Sequence, residues 1–197
     1  MNEEPIDPQL VIKEAKALLN AAWNTPSPER YTQLLGWARE SLQPLAEENY
    51  PDALWLLCSM PKENSENLDW KEFERRHLLE VRAAAEAGSA SAQFHLACEL
   101  DSEPTIRESS LLFKAAAEQG HTYSKWCYGL NLLSGRGTDK DEALGLRYIE
   151  AAGNEKFEGA IQFLSKAYAE GTYGYPKDEG VAAAWWAKLK DKDVIRY

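Results

Sequence analysis

Two glycines flank an arginine in the stretch SGRGTDKD (134–141), with a threonine and two aspartates close behind. Glycine-rich turns ahead of a helix can cradle phosphates through their backbone N–H groups. This stretch lacks the third glycine of a dinucleotide fingerprint and the Gly-Lys-Ser/Thr ending of a P-loop, and it follows a helical pattern rather than a strand. The remaining chemistry-bearing residues are dispersed. Three cysteines (Cys58, Cys98, Cys127) make no CxxC pair, and three histidines (His77, His95, His121) offer no HxxxH spacing for a metal. A nucleophilic thiol needs a base and an activating environment, and the sequence identifies neither. The acidic run Glu63, Glu66, Asp69, Glu72 and Glu74 has the spacing of a solvated helix face, with no sign of a dry pocket for general acid work. No GxSxG elbow or kinase-type motif occurs. The expectation is a non-enzyme with no cofactor and no metal.

The elements that would position these residues are helical. Apolar residues recur at helical spacing, no alternating strand pattern of any length occurs, and about ten helices are predicted, the first over Pro8 to Trp23. Ser27-Pro28 reads as a cap followed by proline at the first helical position, and Thr105 with Glu108 reads as a capping box. In this setting SGRGTDKD becomes punctuation. Gly135 stands where a helix wants a left-handed terminating residue, Gly137 keeps the loop tight, and Asp139 or Asp141 caps the next helix. The design returns as EGTYGYPKDEG (170–180), one residue longer. Arg136 at the loop tip is left to touch a partner. Lys188, Lys190, Lys192 and Arg196 complement a helix end.

Four segments repeat: EENYPDALWLLC (47–58), EAGSASAQFHLAC (86–98), EQGHTYSKWCYG (118–129) and EKFEGAIQFLSK (155–166). Each has a small residue before the turn (Ala46, Ala85, Ala117, Gly153) and another seven positions later (Ala53, Ala92, Ser124, Ala160). Four residues on stands a large one (Leu57, Leu96, Tyr128, Leu164), then a small one again (Cys58, Ala97, Gly129, Ser165). The same register puts Cys127 on a buried side and leaves Cys98 offset and more exposed. Such a pattern describes helix pairs stacked in series, the small residues admitting close approach and the large ones filling the space between.

The stretch KAAAEQGHTYSKWCYGLNLLSGRGTDKDEALGLRYIEAA resembles a Sel1-like repeat: a helix ending A-A-E-x-G, a second with L-G-x-x-Y-x-x-G, and a G-x-G loop leading to an Asp. Leu164-Ser165, Tyr168, Gly171, Gly174, Asp178, Ala182 and Trp185 continue it. The resemblance is strong over 83–190 and weaker over 27–82, where Pro61 stands at the usual Tyr position; the unit over 89–120 carries ELDSEPT in place of the glycine loop. It implies an all-α, right-handed solenoid of antiparallel helix pairs in one continuous domain: an N-terminal capping helix (1–26), degenerate repeats (27–82) and Sel1-like repeats (83–197). By analogy with the similar tetratricopeptide helix, the groove-lining positions are Asp52, Trp55, Phe94, Tyr123, Trp126, Leu130, Gln162 and Lys166. The aromatics Trp55, Phe94 and Trp126 share one register and either anchor a partner or pack against neighbours. Tyr148 and Trp185 match the family's outer-helix aromatic and are expected in the core.

Bulk properties narrow the partner. The 197 residues carry a net charge of −10, which disfavours nucleic acid and anionic membranes and suits a basic protein. The N-terminus is acidic, with no apolar stretch of a secretory signal, and no run nears the roughly 18 residues of a membrane span; a cytoplasmic setting is expected. The resemblance implies a non-catalytic interaction module for one protein partner, such as an immunity or inhibitor protein neutralising a toxin or effector, or an escort or adaptor. The alternatives are a small-molecule-processing enzyme and a self-assembling scaffold.

Overall fold

A computed structural model describes residues 7–61, 70–191 and 193–195. Glu63, Glu66 and Asp69 of the acidic run, and Lys192 and Arg196, lie outside them. Ten α-helices occupy the described residues: α1 Pro8–Trp23, α2 Pro28–Glu47, α3 Pro51–Ser59, α4 Trp70–Glu86, α5 Ala90–Glu99, α6 Ile106–Glu118, α7 Thr122–Ser134, α8 Glu142–Asn154, α9 Glu158–Glu170 and α10 Glu179–Ala187. A short 3-10 turn, Lys188–Lys190, follows. The chain divides into two compact units, residues 1–93 and 94–197.

One turn geometry recurs through the chain. A residue with positive φ (Asn49, Gly88, Gly120, Lys156) ends each of α2, α4, α6 and α8. The N–H of the next residue (Tyr50, Ser89, His121, Phe157) then reaches back to the carbonyl of Leu45, Ala84, Ala116 or Ala152 at 2.8–3.0 Å. This backbone closure satisfies a carbonyl that the helix end would otherwise orphan. It also fixes the register three residues later, where Ala53, Ala92, Ser124 and Ala160 are all fully buried. The degenerate stretch 27–82 keeps this turn although Asn49 replaces glycine, since Asn tolerates the left-handed conformation.

Small residues set how closely the helices pack. A Cβ on Gly129 of α7 would lie 2.9 Å from the carbonyl oxygen of Gly145 in α8, and one on Gly145 would lie 2.8 Å from that of Gly129. The backbones therefore touch here. Around such crossings, Leu96, Phe113, Tyr128, Leu132, Ile149 and Leu164 fill the space in the C-terminal unit. Ile12, Leu19, Leu34, Leu42 and Leu56 form the N-terminal core. Each fully buried Leu or Ile contributes on the order of 1.5–3 kcal/mol. Two of the buried serines are anchored to neighbouring helices, Ser109 donating to the carbonyl of Ala97 at 2.7 Å and Ser165 to that of Ala182 at 2.8 Å. Tyr148 and Trp185, expected in the core, are half-buried and pack on its edge.

The two glycine loops are matched. Gly135 and Gly171 end α7 and α9 in the left-handed conformation, at φ 73° and 70°. Asp141 and Asp178 cap α8 and α10, accepting from the N–H of Leu144 at 3.0 Å and Val181 at 2.9 Å. The N–H of each capping Asp donates to the carbonyl of Leu132 or Tyr168. Those carbonyls lie eight residues past Ser124 and Ala160, so the extra residue of the second loop is absorbed at its tip. Ser27 caps α2 as expected, with Pro28 at the first position.

Two expectations are corrected. Thr105 precedes α6 but makes no cap: its hydroxyl donates to the carbonyls of Leu100 and Ser102 at 2.9 Å each. Its ψ of 1° is not the extended backbone that turns a capping side chain toward the third helical residue. Arg136 is not left open for a partner. One nitrogen donates to both carboxylate oxygens of Asp101 at 2.7 Å, the other to the Asp101 carbonyl at 3.1 Å. The first glycine loop is thereby fastened to the α5–α6 connection, which carries no glycine.

Candidate functional site

The repeat register places an aromatic two residues after the buried small position, and the structure shows what each rests on. Phe94 packs against His121, the residue that opens the next helix, with centroids 4.8 Å apart; Trp126 packs against Phe157, its counterpart one repeat on, at 5.8 Å. Tyr123 bridges the two steps, 4.9 Å from Phe94 and 5.0 Å from Phe157. From Trp126 the run continues to Phe163 at 5.9 Å, then to Tyr173 at 4.9 Å. Tyr173 sits at the tip of the second glycine loop and is half exposed. Spacings of about 4.5–7 Å in tilted or edge-on arrangements are the favourable ones for aromatic pairs.

Of the expected groove residues, Phe94, Tyr123, Trp126 and Leu130 are half-buried and gathered in the C-terminal unit, where Tyr123, Trp126 and Leu130 pack against one core cluster. Gln162 and Lys166 are exposed on α9; Gln162 donates to Glu158 at 3.0 Å and Lys166 pairs with Glu170 at 3.9 Å. Asp52 and Trp55 belong to the N-terminal unit. Trp55 is half-buried against its core, and Asp52 accepts from Ser89 at 3.4 Å and pairs with Lys16 at 3.8 Å. Sequence reasoning missed His121, Phe157, Phe163 and Tyr173 as members of the run. The signal was present for two of them: His121 and Phe157 both stand three residues before the buried small position.

His121 also does structural work. Its Nδ1 accepts from the N–H of Ser124 at 3.3 Å, capping α7, and lies 2.9 Å from the Ser124 hydroxyl. Burial, reinforced by the nearby Lys125 ammonium, pushes its pKa down, so the neutral ring that can accept is the favoured form.

The thiols differ in setting. Cys98 is exposed and Cys127 is half-buried. Burial and the Asp101 carboxylate raise both, to about 11 and about 12, which keeps them protonated and unreactive. Cys58 occupies its expected small-residue slot and is buried, yet its sulfur lies 3.6 Å from Nδ1 of His77 on α4. It forms part of the wall of an open cleft of about 480 Å³, together with Arg39, Gln43, Leu54, Leu57, Glu80 and Ala83. The cysteine–histidine pairing was invisible in the sequence. Among the described residues, no group of three His, Cys, Asp or Glu side chains could hold a metal ion, and no helix is long and apolar enough to cross a membrane.

Comparison with known proteins extends the picture. No family model matches the chain. An uncharacterized protein of Neisseria meningitidis serogroup B is 28% identical over 129 residues, covering 63% of this chain; the chain spans about a quarter, 26%, of that relative. A Sel1 repeat protein from Oxalobacter formigenes superposes with a TM-score of 0.62 at 19% identity, over 92% of this chain and 73% of that one. A protective antigen of uropathogenic Escherichia coli that displays the SLR fold superposes with a TM-score of 0.65 at 21% identity, over 95% of this chain and 39% of that one. With the repeated turn, the buried small positions and the matched glycine loops, these likenesses identify the fold: the chain is built as the Sel1-like repeat proteins are, an all-α solenoid of antiparallel helix pairs.

Proposed function

We propose that this chain is a non-catalytic interaction module that holds one protein partner through the aromatic run of its C-terminal unit. The observation that carries this reading is the continuity of the run from Phe94 to Tyr173. Large rings that are half-buried and half-accessible, fixed by contact with one another, offer wide apolar area at small entropic cost, as protein-binding surfaces do. The Sel1-like fold supports the same reading, since stacked helix pairs present extended binding surfaces. The net charge of −10 favours a basic partner by steering its approach. Neutralisation or escort of one basic protein, such as an antibacterial toxin or an effector, fits these features, in a cytoplasmic setting. The test is capture of the partner from the native host's lysate by the wild-type chain and by Trp126→Ala. A stoichiometric partner retained by the first and lost by the folded second supports the reading; equal retention refutes the surface, and no partner at low salt refutes the module.

A further inference from the structure

The turn that opens α9 is finished differently from the turns before α3, α5 and α7. Ser89 and His121 cap α5 and α7 with their own side chains, accepting from the N–H groups of Ala92 and Ser124. Pro51, at the start of α3, has no N–H to satisfy. Phe157 has no capping side chain, and the N–H of Glu158 donates outside the helix, to the carbonyl of Ile195 at 3.1 Å. The N–H of Ile195 returns to the carbonyl of Lys156 at 2.9 Å, completing a parallel one-residue bridge between Ile195 and Phe157. An extended segment beyond α10 is thus paired through its backbone with a helix opening. Val194 is buried, and Ile195 packs on the same core cluster as Phe157, Tyr123 and Trp126. Asp193 accepts from the Lys156 ammonium at 2.8 Å, and Asp191 stands 3.1 Å from it. The segment therefore meets the aromatic run at Phe157, which Tyr123 and Trp126 contact at 5.0 and 5.8 Å.

We propose that the opening of α9 is a docking site for an extended acidic–aliphatic segment of a protein partner, and that residues 193–195 occupy it as a competitor. The incoming strand supplies a carboxylate for Lys156, a carbonyl for the Glu158 N–H, an N–H for the Lys156 carbonyl, and aliphatic side chains at the Val194 and Ile195 positions. Main-chain pairing of this kind reads no side chain, so a strand of like pattern from another protein fits as the chain's own does. The chain's own segment is also exchangeable. The side chain of Asp193 is 70% exposed, and ion pairs so placed hold weakly and are screened by salt. The site asks for one acidic residue at one point and leaves the partner's overall charge unspecified. The proposal rests on the aromatic run as the partner's surface, which such a strand joins at Phe157.

The test uses the full chain and a labelled peptide of residues 191–197, DKDVIRY, as probe, with fluorescence anisotropy as the readout. Ile195→Asp, which lifts the chain's own segment, is expected to bind the probe at least about tenfold tighter than wild type, whose site is occupied. Adding Lys156→Ala to that variant should weaken the probe by roughly threefold. A control peptide with serine at both aliphatic positions should not bind. Equal affinity of the probe for wild type and folded Ile195→Asp, or equal binding of the control peptide, overturns the proposal. Should Ile195→Asp fail to fold, amide hydrogen exchange of the wild-type chain decides, with probe in excess at on the order of millimolar. The Ile195 N–H should then lose protection while the Glu158 N–H keeps it; unchanged protection of Ile195 overturns the site. Partner capture by Trp126→Ala is a separate readout: a probe that binds as expected while this variant retains the partner upholds the docking site and refutes only the aromatic surface.

Discussion

The ring of Trp126 lies 5.8 Å from that of Phe157, the residue that opens the next helix, and Phe94 repeats this relationship with His121 at 4.8 Å. The aromatic ladder and the helix-opening residues are therefore one structure. Phe94 and Trp126 are thus each steadied by the residue that opens the following helix, a contact that limits their freedom before a partner arrives.

The contact between α7 and α8 sets the first prediction. Gly129→Ala and Gly145→Ala each place a methyl group within 2.9 Å of the opposing carbonyl. Either should cost about 1–3 kcal/mol through overpacking. For a chain of this size that lowers the melting temperature by roughly 2–4 °C per kcal/mol, readable by circular dichroism.

The glycine loops separate strain from collision. Gly137 and Gly174 both have positive φ, 66° and 77°. A Cβ on Gly174 meets open space, while one on Gly137 runs into the carbonyl of Ile106. Gly174→Ala should therefore cost only the left-handed penalty, about 1–2 kcal/mol, and Gly137→Ala measurably more. Denaturant titration of the two variants side by side checks the order.

Arg136 and Asp101 provide a loop tie between partly exposed groups. Arg136→Ala should cost about 0.5–1 kcal/mol, and the difference from wild type should shrink as salt is raised. Asp101→Asn should additionally remove a carboxylate that, after burial, raises Cys98, so alkylation of that thiol at a fixed alkaline pH should quicken relative to wild type.

A pH dependence follows from His121, whose folded pKa is depressed by burial and by Lys125. Its neutral ring caps α7 and faces Phe94 and the Ser124 hydroxyl. Because the unfolded chain binds the proton more readily, this contribution is fully present above the ordinary value of 6.5. It is lost as pH falls through the lower folded value. His121→Asn keeps a capping acceptor that does not titrate, so its melting temperature should fall less than wild type's over the same pH window.

Much of this was legible in the sequence because the tight turn sets a step of seven residues from one small position to the next. Backbone closure makes that spacing rigid, and hence Ala53, Ala92, Ser124 and Ala160 could be aligned and all prove fully buried. The glycine loops were readable for a related reason: positive φ and a capping Asp each demand a residue type. Pairings between elements were not. Arg136 reaches Asp101 across 35 residues and His77 reaches Cys58 across 19, and each meeting depends on helix phase rather than on any local preference. The Thr105 cap failed similarly, since the hydroxyl found carbonyls in the preceding turn that composition alone does not place. The aromatic register was read, whereas the rings that complete it arrive from helix openings and a loop tip.

The central claim is most directly tested by titrating the captured partner against wild type, Trp126→Ala and Tyr173→Ala, with Leu111→Ala as an exposed control away from the run. The account predicts a loss of at least about 2 kcal/mol, roughly thirtyfold in Kd, for Trp126→Ala, a smaller loss for Tyr173→Ala and none for Leu111→Ala, with helical content retained in all three. A partner that binds folded Trp126→Ala as tightly as wild type would contradict it.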